Sequence, residues 1–235
     1  MLPVVLITGA AGGFGRALTE KFSLSSWQVI AGYHKAPFPE PLDYVTQIRL
    51  DVTNRQEVAT VVEQVIKEFG RIDVLINNAG INRDDLLIEA EESDWDQVHE
   101  VTLNGAFLCT QAVLPIMVRQ SEGHIVNISS YAGRCGVGGQ SVYAAAKAGL
   151  LGLTLAIARE YGSQNIRVNA VLPGVLPTGM TQTLSQSQRE VFRQQNVLGR
   201  FNDLGEVAAM VVFLCGTRNI SGQVFQLDSR IAPWT

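Results

Sequence analysis

The chain has 235 residues, 46% of them hydrophobic and only 17% charged, which suits one α/β domain spanning 1–235 and excludes a disordered chain or a coiled coil. Eighteen Lys and Arg against 22 Asp and Glu leave a net charge of −4 without a basic run to neutralise a row of phosphates, so nucleic acid is not an expected partner. No uninterrupted apolar run approaches the roughly 20 residues of a membrane span, and Met1-Leu2-Pro3 lacks the positive start of a secretion signal, so a cytoplasmic chain with no membrane partner is expected.

Short β-branched and aliphatic runs alternate with helical patterns along the chain, the signature of a parallel sheet covered by helices. The first predicted strand, Val4–Thr8, leads directly into Thr8-Gly9-Ala10-Ala11-Gly12-Gly13-Phe14-Gly15 and a helix beginning near Phe14. Glycines at 9, 13 and 15 let backbone approach a pyrophosphate at the positive end of that helix. A tight strand-to-helix turn with no ligand would read the same way. The second predicted strand is Gln28–Gly32 and the third Gln47–Leu50; between them lie prolines at 37, 39 and 41, so an extended loop replaces the usual crossover helix.

Next, Val58, Val61, Val62, Val65, Ile66 and Phe69 recur at helical spacing, opened by Asn54 with Glu57 three residues on and closed by Gly70. The fourth strand, Val74–Asn77, ends in Asn78-Ala79-Gly80, and a second helix runs from Ser93 and Asp96 towards Val118. Strand five, His124–Ile128, places Ser130 at the carboxyl edge, where ligands bind in such sheets, although a serine there also suits a plain turn or cap. A third helix, Val142–Tyr161, carries Tyr143 and Lys147 four apart on one face, a spacing that chance also produces. An ammonium about 4 Å from a phenol, at an effective dielectric near 20, favours the tyrosinate by about 4 kcal/mol, roughly three pKa units. Tyr143 is therefore expected well below its ordinary value, in reach of proton exchange with an alcohol or ketone. Strands six and seven, Arg167–Val171 and Val224–Leu227, complete a doubly wound, Rossmann-like sheet of about seven strands, and Pro173-Gly174-Val175-Leu176-Pro177-Thr178 ends the sixth at the same edge.

Cys109, Cys135 and Cys215 have no C-x-x-C spacing and read as reduced thiols, and His34, His99 and His124 are too dispersed to mark a metal site. The third helix is apolar or small almost all round, so both faces need cover and a second copy of the chain is expected on one of them.

In order along the chain, T-G-x-x-x-G-x-G at Thr8–Gly15, N-N-A-G at Asn77–Gly80, Ser130, Y-x-x-x-K at Tyr143 and Lys147, and Pro173-Gly174 resemble the short-chain dehydrogenase/reductase family. Within it, Gly80–Leu87, Tyr143–Gly149 and Leu198–Phe201 most resemble 3-oxoacyl-(acyl-carrier-protein) reductases. The resemblance implies that Tyr143 is the general acid for reduction, that Lys147 lowers its pKa and holds the nicotinamide ribose, and that Ser130 bonds the substrate oxygen. It places Gly9, Gly13, Phe14, Gly15, His34, Lys35, Asn78, Ala79, Gly80, Pro173 and Gly174 along the cofactor. Asp51 and Val52 would face the adenine, and Leu176 and Thr178 the carboxamide. A homotetramer or homodimer that reduces a 3-oxoacyl thioester, carried by ACP or CoA, to the 3-hydroxyacyl thioester is implied. Rival readings are a reductase or dehydrogenase of another small ketone or alcohol, and a cofactor-binding regulator.

With Tyr33, His34 and Lys35 where an acidic residue would repel a phosphate, NADP(H) is expected over NAD(H), although Gly12 stands where many NADP-dependent relatives carry arginine. The family's catalytic asparagine falls on Thr102, and Asn104, about 200° round a helix from it, faces away. The glycine pair after the last strand is replaced in Leu227-Asp228-Ser229-Arg230, and basic carrier-docking positions fall on Ser121 and Gln164. The glutamine-rich segment 181–196 is expected to cover the substrate.

Overall fold

The computed structural model describes residues 2–182 and 185–231. Strands β1 Val4–Ile7, β2 Gln28–Tyr33, β3 Val45–Arg49, β4 Val74–Asn77, β5 Gly123–Ile128, β6 Ile166–Leu172 and β7 Val224–Gln226 form one parallel sheet in the order β3-β2-β1-β4-β5-β6-β7. Every predicted strand is present; β3 starts earlier than expected because Val45 already pairs with Val29. The order reverses between β1 and β4, which opens a crevice at the carboxyl ends of these strands.

The helices are α1 Gly13–Leu24, α2 Arg55–Phe69, α3 Glu92–His99, α4 Gly105–Gln120, α5 Tyr131–Cys135, α6 Ser141–Tyr161, α7 Gly179–Gln182, α8 Gln186–Gln195 and α9 Leu204–Gly216. Alternation along β1 explains why helices cover both faces. Val4 and Leu6 enter one core with Val61 of α2, Val113 of α4 and Ile157 of α6. Val5 and Ile7 enter the other with Leu18 and Phe22 of α1 and Val211 of α9. Leu18 and Phe22 are fully buried, each contributing about 1.5–3 kcal/mol of transfer free energy.

Asn54 caps α2 by accepting from Gln56 N and Glu57 N, and Gly70 closes it in the left-handed conformation. The expected reciprocal bond from Glu57 does not form. Its carboxylate instead accepts from Asp51 N at 2.8 Å and pairs with Arg49, tying the start of α2 to the end of β3. The predicted helix from Ser93 to Val118 is interrupted by a π-helical turn, Glu100–Asn104, between α3 and α4.

Residues 34–44 contain no helix. Phe38 is buried in the core, Arg16 of α1 lies 4.1 Å above its ring, and the Gln47 amide bonds both Phe38 N and Phe38 O, at 2.9 and 3.0 Å. Arg16 also pairs with Glu40 at 3.3 Å. The loop is fastened through side chains where a helix would have used its own backbone.

Two helical stretches, Glu92–Gln120 and Ser141–Gln164, are long and apolar enough to cross a membrane by composition, which a search for uninterrupted apolar runs misses. Both pack on the sheet and carry buried polar residues, Thr102 and Thr110 in the first, Lys147 and Thr154 in the second.

Candidate active site

The loop after β1 and the loop after β4 are locked together at the crevice. Thr8 Oγ1 accepts from Asn78 N and Ala79 N, both at 3.0 Å, while Asn78 Nδ2 donates to Thr8 O and Gly9 O at 2.9 and 3.1 Å. A Cβ on Gly15 would lie 2.2 Å from Gly9 O and 2.9 Å from Asn78 Nδ2, so only glycine lets α1 begin this close to the loop. The first turn of α1 holds no acidic side chain and its N-cap, Gly12, makes no side-chain cap. The donors there and the positive helix end suit a pyrophosphate.

Beyond the glycines lies an exposed, charged end. His34 Nε2 stands 3.5 Å from Asp51 Oδ2. Burial alone would raise the Asp51 carboxyl, but the Thr53 hydroxyl and amide both donate to it, and His34 and Arg49 are nearby, so it lies below its ordinary value. No carboxylate stands among residues 33–35.

The other end of the cleft is less open, with Ser130 and Tyr143 half-buried and Ser129 and Lys147 buried. Ser130 caps α5, its Oγ accepting from Ala132 N at 3.2 Å, and it also hydrogen-bonds the Tyr143 phenol. Lys147, one turn along α6 from Tyr143, is 4% exposed; its Nζ donates to Ile128 O at 2.6 Å. Ser129 Oγ donates to Lys147 O at 2.7 Å, fixing the helix backbone there.

Burial pulls the Lys147 ammonium down to about 8. Burial also pushes the Tyr143 phenol up to about 12, the Ser130 bond opposing and the Asp84 carboxylate reinforcing the rise. This reverses the direction expected from the Tyr-x-x-x-Lys spacing. The Nζ lies 5.6 Å from the Tyr143 ring centroid and is aimed at a main-chain carbonyl, so its field does not offset the loss of water around the phenolate.

Thr102 sits in the π-helical turn, 1% exposed, and its Oγ1 has no hydrogen-bond partner among the described residues. A Cβ on Gly80 would lie 3.3 Å from Thr102 Oγ1 and 3.4 Å from Lys147 Nζ. Gly80 thus leaves both polar groups facing one small shared space. Asn104 is exposed and donates to Glu100 Oε2 at 2.6 Å, away from that space.

Every residue predicted along the cofactor, together with Ser130, Tyr143 and Lys147, lines a single cleft of about 1410 Å³. Thr102 lies behind its wall. Of the expected covering segment 181–196, residues 183 and 184 fall outside the described residues. Sequence reasoning missed Ser129 and the Ile128 carbonyl, which orient Lys147. It also missed a buried chain of bonds beneath them, Asn77 Nδ2 to Asn127 Oδ1 at 2.8 Å and Asn127 Nδ2 to Thr154 Oγ1 at 2.9 Å. Asparagines within apolar strands were the available signal.

The family model of short chain dehydrogenases matches residues 3–189. The chain belongs to that family. This short-chain dehydrogenase is therefore an oxidoreductase of CH-OH and C=O groups. It is 44% identical to the 3-oxoacyl-[acyl-carrier-protein] reductase FabG of Thermotoga maritima, with 96% of each chain covered. It is 37% identical to the enzyme of the same name from Staphylococcus aureus (strain Mu50 / ATCC 700699), with 97% of each covered. Among solved structures, ElxO with NADP bound superposes with a TM-score of 0.91 at 29% identity, covering 97% of this chain and 98% of that one.

Proposed function

We propose that this enzyme uses NADPH to reduce a 3-oxoacyl thioester to the 3-hydroxyacyl thioester. The observation that carries this reading is the continuity of the cleft. It joins a glycine cradle and a loop with no carboxylate among residues 33–35 to Ser130, Tyr143 and the buried Lys147, and the relatives of this chain are named 3-oxoacyl-[acyl-carrier-protein] reductases. NADPH, when bound, supplies the hydride.

The chain supplies orientation and the proton. Gly9, Gly13 and Gly15 with the start of α1 receive the pyrophosphate, and Asp51 and Val52 flank the adenine. His34 and Lys35 attract the extra phosphate. Asn78, Ala79, Gly80, Pro173, Gly174, Leu176 and Thr178 form the walls further in. Ser130 holds the carbonyl oxygen. Tyr143, a protonated phenol at neutral pH, gives that oxygen its proton, and Lys147 holds the ribose beside it. Thr102 Oγ1 and Lys147 Nζ hold a water over Gly80 through which the proton is replaced.

Ser121 and Gln164, where the resemblance places carrier-docking charges, are uncharged, so recognition rests on the thioester rather than on the carrier surface. On the outer face of α6, Ala148, Gly152, Leu155 and Ala156 are exposed, and a second copy of the chain covers them in a cytoplasmic homodimer or homotetramer.

The test follows NADPH and NADH oxidation with acetoacetyl-CoA, a carrier-linked 3-oxoacyl chain and simple ketones. The expected result is the highest kcat/KM for a thioester with NADPH. A simple ketone turned over far more efficiently, or a preference for NADH, overturns the reading. Sedimentation at micromolar concentration showing only monomer overturns the assembly.

A further inference from the structure

The turn after β7 carries a buried charge pair that the reaction does not use. The side chains of Asp228 and Arg230 are 2% and 6% exposed; Arg230 Nε donates to Asp228 Oδ2 at 2.6 Å, and Nη2 reaches the same oxygen. Burying two charges is unfavourable unless further hydrogen bonds compensate. Here Gln226 Nε2 and Arg230 N both donate to Asp228 Oδ1, at 2.7 and 3.2 Å.

The turn that carries the pair meets three segments, two of them adjoining residues that line the cleft, Ser130 and Gly174. The guanidinium lies 3.9 Å above the ring of Tyr131, the first residue of α5 and the neighbour of Ser130. On a second side the backbone of Gly174, at φ +81°, packs so closely that a Cβ there would lie 2.6 Å from Asp228 Cβ. On the third, the buried Asn196 accepts from Ser229 N and Ser229 Oγ at 3.3 and 3.2 Å, and Asn202 Nδ2 donates to Pro173 O and Leu227 O, both at 2.8 Å.

We propose that Arg230 is a positioning residue: through Tyr131 and Asp228 it holds the Ser130 end of α5 in register with the Pro173–Gly174 loop and with the segment 196–202 that follows α8. A planar guanidinium can pair along one edge and stack through its face, which an ammonium cannot do together. Ser130 Oγ is the affected group, because it both caps α5 and reaches the Tyr143 phenol. A misplacement of about 1 Å at such a group costs up to roughly a hundredfold in rate.

The kinetic half of the test rests on the reductase reading, and the exchange half does not. Arg230→Lys, Arg230→Met and the double variant Asp228→Asn/Arg230→Met are compared with the parent in two measurements. The first is amide hydrogen exchange of peptides covering 129–136 and 196–202, with β1 and β4 as controls. The second is kcat and KM per cofactor site, the sites being counted by NADPH fluorescence titration.

Arg230→Met is expected to raise exchange in both segments together and leave the controls unchanged. Its kcat should fall about tenfold or more, with KM within about threefold of the parent. Arg230→Lys should change exchange and kcat in the same direction. The double variant leaves no stranded carboxylate, so it should recover the melting temperature but neither the protection nor kcat. Recovery of kcat in the double variant, unchanged kcat in Arg230→Met, or exchange rising in one segment alone overturns the proposal. Should the parent reduce no carbonyl, the functional reading fails, while the exchange result still decides the role of Arg230.

Discussion

The two ends of the cleft lie on one sheet edge and are built in opposite ways. At the adenosine end, His34 and Lys35 stand on an exposed loop that replaces a helix, fastened by Phe38, Arg16 and Gln47. At the catalytic end, Lys147 and Thr102 are almost wholly buried, and Tyr143 is hydrogen-bonded to Ser130 beside a π-helical turn. Water screens charges at the first end and is excluded from the second, so the same kind of group carries different weight at each. The size of a substitution's effect should follow this contrast.

The largest effect belongs to Tyr143→Phe, which removes the proposed proton donor and almost no volume. Its kcat should fall far more than tenfold, beyond 1.4 kcal/mol in barrier, while the NADPH dissociation constant stays near the parent's. Retention of a tenth of the activity would remove Tyr143 from its role and erase the contrast. Lys147→Ala should impair both quantities.

The second effect is on stability. Lys147 has a folded pKa of about 8, below its ordinary 10.5. Between these values the unfolded chain binds a proton that the folded chain does not, so this contribution to stability rises with pH and is lost as pH falls towards 8. The difference in unfolding free energy between the parent and Lys147→Met should change by about 1.4 kcal/mol per pH unit across that window, in the parent's favour as pH rises. Parallel curves in denaturant titrations from pH 8 to 10.5 would contradict the buried ammonium.

A smaller effect is expected of Gly80→Ala, whose methyl enters the space between Thr102 Oγ1 and Lys147 Nζ. Turnover should fall roughly tenfold with a changed solvent isotope effect. Thr102→Ala should lower kcat less, with a shift of the same sign. If Thr102→Ala leaves both unchanged, Thr102 has no part in proton transfer. The smallest effect is that of Lys35→Ala at the exposed end. NADPH affinity should weaken only a few-fold, about 1 kcal/mol or less, fading at high salt and leaving NADH unaffected.

How far each end could be read from the sequence also follows the contrast. The adenosine end is local: the glycines, the three prolines and the lack of a carboxylate at 33–35 all lie in short stretches, and the helix-free crossover was legible from them. The fold was legible for the same reason, because valine spacing in α2 and strand-length apolar runs are local patterns. The catalytic end is assembled from distant residues. Tyr143 and Lys147 stood out as a pair, yet the direction of their titration depends on burial and on Ile128 O, which spacing does not contain. The π-helical turn is set by packing of the continuous helix and leaves no periodic mark in Glu100–Asn104. Glu57 read as half of a capping box, but Asp51 N and Arg49 compete for its carboxylate once β3 is in place. Arg230 looked only like a missing glycine, because its partners are Asp228 close by and Tyr131 about a hundred residues away.

The clasp between Thr8 and Asn78 also bears on how the chain acquires its shape during synthesis. The glycine loop leaves the ribosome early, but four of the bonds that hold it come from residues about 70 positions later. At about 5–20 residues per second, the loop waits roughly 4 to 14 s for its clamp. Until then β1 has only β2 beside it, and one edge of a short apolar strand stays open to other chains. Nascent chains long enough for Asn78 to have cleared the exit tunnel should therefore show a sharp drop in chaperone capture and protease sensitivity relative to chains in which it is still inside.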